Sequence, residues 1–130
     1  MDHQFEWSHR RLDAWKIAMD LAVKVSEELR KFPPYELYGL CAQLRDASVS
    51  VPTNIAEGAA RPSKREYYRF LGISRASLSE MDTELELAKR LGYISTDSEV
   101  FPLLTRASYL LDGLMKHVKS KIEHPRAGKR

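Results

Sequence analysis

The chain has 130 residues, 43% hydrophobic and 30% charged, which suits a single domain large enough to build a core without disulfides or a metal. One cysteine excludes an internal disulfide framework and fits a reducing compartment. No apolar run approaches a membrane span, and Met1-Asp2-His3-Gln4 does not read as a signal peptide, so the expected location is the cytoplasm. The net charge of +3 is a tail effect: residues 113–130 carry six basic side chains against Glu123, leaving the preceding residues at −2, too little positive charge for a surface built throughout to hold phosphate.

Residues 1–8 show no periodicity and read as a flexible arm that Phe5 and Trp7 tack to the body. A first helix is expected from His9 to Lys31, stopped by Phe32-Pro33-Pro34. Trp15, Ala18, Met19, Ala22, Val25 and Leu29 share one face, with Ile17 and Leu21 beside it. The apolar arc spans roughly 200°, about twice what a surface helix needs, so Ile17 and Leu21 are candidates for an interface between copies. A second helix begins near Glu36, with Cys41 among apolar neighbours as a buried thiol, and Leu40, Leu44, Ala47 and Val51 on the core side. Pro52 interrupts it, yet Ile55 keeps the phase, which predicts a kinked helix that Gly58 caps before Pro62.

Ser63-Lys64-Arg65-Glu66 spells a capping box and opens the longest helix, to Leu91, with Tyr67, Phe70, Leu71, Ser74, Leu78, Met81, Leu85 and Ala88 as its seam. Gly92 ends it. A fourth helix, Ser98 to Ile122, carries Phe101, Leu104, Ala107, Leu111, Leu114 and Val118. Residues 123–130 form a basic tail expected to be disordered. Four amphipathic helices over 9–122 with short connections predict an all-α, up-down-up-down four-helix bundle.

Little in the chain points to catalysis. The histidines at 3, 9, 117 and 124 never pair at helical spacing, and there is no Cys-x-x-Cys, Glu-x-x-His, nucleophile elbow or P-loop. No metal, cofactor or enzymatic activity is therefore expected. Two features remain. Asn54 and Glu57 are polar residues beside the proline. Structurally, Asn54 or Thr53 would satisfy carbonyls freed by Pro52, and Glu57 would take a basic partner such as Arg45 or Arg61. Arg61, Lys64, Arg65, Arg69 and Arg75 crowd the start of helix three, where cations oppose the macrodipole at about a few tenths of a kcal/mol each. An external anion would explain that order: phosphates of nucleic acid, with Tyr67 and Tyr68 able to stack on bases, or carboxylates of a neighbouring subunit. A solvated charged face is the plain alternative.

Ser50-Val51-Pro52-Thr53-Asn54-Ile55-Ala56-Glu57-Gly58 resembles the signature of the four-helix-bundle proteins encoded in intervening sequences of bacterial 23S rRNA genes. The likeness extends from Leu12-Asp13-Ala14-Trp15 through Tyr38-Gly39-Leu40 and Gln43-Leu44-Arg45 to Tyr68-Arg69-Phe70-Leu71, Ser77-Leu78-Ser79-Glu80 and Leu91-Gly92-Tyr93-Ile94. Asp46 stands where the family usually has a basic residue, and Ala76 where it usually has glycine. The resemblance implies a homo-oligomer, a pentameric ring, and kinship with accessory proteins of diversity-generating retroelements, which pair with a reverse transcriptase and nucleic acid. The expected function is thus a non-enzymatic assembly protein with RNA or DNA as candidate partners. A protein-binding adaptor and a small-molecule-binding bundle are its rivals.

Overall fold

Four helices account for the fold in a computed structural model that describes residues 5–125: α1 (Asp13–Leu29), α2 (Leu40–Ala59), α3 (Lys64–Arg90) and α4 (Val100–Glu123). Short 3-10 turns, Ser8–Arg11 and Pro34–Glu36, precede α1 and α2. Connections this short make successive helices antiparallel, and each helix packs only on its two neighbours, α1 closing onto α4. The result is an up-down-up-down four-helix bundle, with no strand among the described residues. Glu123, expected in the tail, is the last residue of α4; residues 1–4 and 126–130, on which the rest of the arm and tail expectations fall, lie outside the described part.

The seams of α3 and α4 run as their spacing predicts, with Leu71, Leu78, Met81, Leu85, Leu104 and Leu111 in the core. Helix α1 is rotated from expectation. Its buried face is Ala14, Ile17, Ala18, Leu21, Val25 and Glu28, whereas Met19 is 39% exposed. Ile17 and Leu21 therefore belong to this bundle's own core and are not available to a neighbouring copy. Glu28 disguises the phase, because a carboxylate in a seam reads as a surface residue. It is 4% exposed and held there by partners: the Ser98 hydroxyl donates to Oε2 at 2.9 Å, and Lys31 Nζ lies 3.3 Å from Oε1. Such pairing is what a buried charge requires, and it ties the end of α1 to the start of α4.

Local chemistry sets the helix ends. Glu36 Oε1 accepts from the Leu40 N–H at the head of α2, and Oε2 accepts from the Tyr93 hydroxyl at 2.9 Å. Tyr93 also meets the Tyr35 hydroxyl at 3.0 Å; that bond, then burial and Glu36, push its pKa up. Ser63 caps α3 by accepting from the Glu66 N–H. Only half of the predicted box forms, since the Glu66 carboxylate turns to Arg69 at 3.5 Å. Gly92, at φ +81°, ends α3: its N–H reaches Lys89 O and that of Tyr93 reaches Ala88 O, a paired closure that needs a left-handed residue. Gly58 has a different role from the predicted cap. It lies inside α2, and a Cβ there would stand 2.9 Å from Phe70 Cβ and 3.1 Å from the Tyr67 carbonyl oxygen. The missing side chain is what lets α2 and α3 approach.

Helix α2 continues through Pro52, which removes the donor that would reach the Ser48 carbonyl. Asn54 does not repair that gap. Its amide donates to the Ser50 carbonyl at 2.9 Å and the Ser50 hydroxyl at 3.0 Å, which also accepts from Ser77 of α3 at 2.8 Å. Beside this chain, Ser74 donates to the Val51 carbonyl at 2.8 Å. Asn54 thus anchors a polar link between two helices. Asn54→Leu should cost about 1–2 kcal/mol in a urea melt, and Ser77→Ala less than additively on top of it. Pro52→Ala should keep the fold. Full additivity of Asn54→Leu and Ser77→Ala would show that the link carries no shared energy.

Candidate nucleic-acid interface

Antiparallel packing brings the start of α3 beside the end of α4. Lys64, the first residue of α3, therefore shares a groove with His117 and Lys121 from the last turns of α4. The groove encloses about 500 Å³ and its floor is apolar: Leu12, Leu114 and Val118, with Tyr67 along one wall. Lys64 Nζ sits 5.8 Å from the Tyr67 ring, within the reach of a cation–π contact. Burial pushes the Tyr67 hydroxyl up, so it stays a neutral donor. Two lysines and a histidine over a low-dielectric floor, near a tyrosine donor, make a place where a phosphate would be attracted and hydrogen-bonded.

The structure divides the five predicted basic residues into four groups. Lys64 alone lines this groove. Arg61 and Arg69 both lie against the Phe70 ring, at 4.7 and 4.6 Å, and Arg61 pairs loosely with Glu57 at 3.9 Å. Arg65 is on the outer side of α3 and makes no ion pair among the described residues. Arg75 faces α4 and binds Asp112 at 2.8 Å, which takes it out of any phosphate site at the start of α3. Of the two partners expected for Glu57, Arg61 is the one used; Arg45 is exposed, and its carbonyl accepts from Ser48. Tyr68 is half-buried against the core. In the sequence His117 and Lys121 look like tail charges. An available signal was the topology itself, since neighbours in such a bundle place the head of one helix beside the foot of the next.

With this geometry in place, the model of the 23S rRNA-intervening sequence protein family matches residues 10–113. The chain belongs to that family. No curated protein matches it. The matched span holds all of α1, α2 and α3 and the first half of α4, so the groove combines family positions such as Lys64 and Tyr67 with residues beyond the match, His117 and Lys121.

Cys41 is buried, and burial pushes its thiol up against a smaller pull down from Arg45, the reverse of what a nucleophile needs. Among the described residues, no group of three or more His, Cys, Asp or Glu side chains converges as a metal site would, and no helix is long and apolar enough to cross a membrane.

Proposed function

We propose that the chain is a non-enzymatic assembly protein of the cytoplasm, in which copies associate with one another and the basic groove of each takes the phosphate backbone of RNA or DNA. The observation that carries this reading is the convergence of Lys64, His117 and Lys121 on one groove from two helices. Placing Lys64 at the positive end of α3 costs helix stability, and a bound anion would return it. Five copies is the number that the family resemblance implies. Repetition would let modest contacts add along one strand through effective concentration.

Affinity should be backbone-directed, with little sequence preference and a steep fall as salt rises. Fluorescence anisotropy with a labelled RNA hairpin should show binding at low salt that Lys64→Glu with Lys121→Glu weakens at least about tenfold, while Arg75→Glu changes it little. Light scattering should give a mass several times the 15.0 kDa monomer. No binding at low salt, or an unaltered affinity in the double variant, ends the nucleic-acid reading.

A further inference from the structure

Beside the α2–α3 seam, α3 carries a stripe of Arg65, Arg69, Ile73, Ala76, Glu80 and Glu84, whose acidic end borders α2. At about 100° per residue these positions fall within an arc of about 100°, one face of the helix. The first five are exposed, and Glu84 is half-buried. Their order is symmetric about the midpoint between Ser74 and Arg75. Ile73 and Ala76 are equidistant from it, so are Arg69 and Glu80, and so are Arg65 and Glu84. A second α3 laid antiparallel on that midpoint would set each arginine against a carboxylate and the small apolar centre against itself.

An open groove of about 540 Å³ runs between α2 and α3, lined by Asp46, Ser50, Ser77, Glu80 and Glu84 among others. Glu84 Oε1 is buried there without a hydrogen-bond partner, and burial, then the nearby Glu80, push its carboxyl up. A guanidinium entering the groove would supply the missing donors and relieve that repulsion. None of Asp46, Glu80 and Glu84 makes an ion pair among the described residues, and the one ion pair of Arg69, whose guanidinium also lies against the Phe70 ring, is its 3.5 Å contact with Glu66.

We propose that the outer stripe of α3 is a docking surface for a second copy of this chain, held antiparallel, with Arg65 and Arg69 of each copy against Glu84 and Glu80 of the other. Ile73 and Ala76 supply little apolar area, so the charges set orientation and the contact weakens with salt. The proposal rests on the self-association half of the reading above and not on the basic groove. An isologous contact closes on two copies, so a ring would be built through a further surface.

Charge reversal tests it on the full chain, by sedimentation velocity at low and high salt, with circular dichroism to verify folding. Arg69→Glu and Glu80→Arg should each raise the dissociation constant of the pair at least about tenfold. The double variant, and an equimolar mixture of the two single variants, should associate as wild type does. Single variants that pair normally, or a double variant as weak as either single, would overturn the surface while leaving self-association intact. A wild type that stays monomeric at every concentration removes both. Loss of RNA binding by Arg69→Glu with pairing unchanged would assign Arg69 to phosphate instead, and would also overturn the proposal.

Discussion

Leu21→Glu is expected to unfold the bundle and not merely to separate its copies. Leu21 is 1% exposed and belongs to the continuous core shared by all four helices. Truncating such a side chain to alanine already costs about 2–5 kcal/mol. Adding an unpaired carboxylate raises that by several kcal/mol more, because no cation stands ready as Lys31 does for Glu28. Against a total stability of about 5–15 kcal/mol the folded state would be nearly lost at room temperature. Far-UV circular dichroism should show most of the helical signal gone. Val23→Glu, on the opposite side of α1 at 56% exposure, should keep it. Wild-type helicity and an unchanged urea midpoint for Leu21→Glu would mean that α1 packs on another face.

The second large effect is expected at Gly58. Helix propensity alone predicts that Gly58→Ala stabilises α2 by about 1 kcal/mol. The packing predicts the opposite sign. The added methyl would stand 2.9 Å from Phe70 Cβ, 3.0 Å from Tyr67 Cδ1 and 3.1 Å from the Tyr67 carbonyl oxygen. A Cβ and a carbonyl are fixed to the α3 backbone and cannot swing aside, so the two helices must move apart. Overpacking of this kind costs about 1–3 kcal/mol, enough to outweigh the propensity gain, and Gly58→Val should cost more. Thermal melts of the two variants decide the matter: a raised midpoint for Gly58→Ala would show that the interface yields.

What the residues disclosed in advance follows a physical line. Long helices with leucine at regular spacing, such as α3 and α4, could be read directly, because one burial face dominates the pattern. The phase of α1 is disguised, since Trp15 and Met19 draw the apparent apolar face toward the rim while Glu28, polar but buried, sits in the true seam. Gly58 fits a cap as well as a close approach, and only the position of Phe70 and Tyr67 on α3 separates the two. The basic cluster was visible as composition. Its division among a groove, an outer stripe and an ion pair to Asp112 depends on which way each side chain leaves the helix relative to its neighbours.

Four helices running alternately up and down return the chain to the end from which it started. Leu12, at the head of α1, and Pro125, just past α4, both line the basic groove. The polypeptide therefore enters α1 and leaves α4 at the rim of that groove. An affinity tag or fluorescent fusion placed there, if tethered by a short flexible linker, is held near it at an effective concentration of order millimolar, and an acidic one would compete with nucleic acid. The turn at Ser95–Asp97, between α3 and α4 at the far end of the bundle, is the place for a reporter that leaves the groove open.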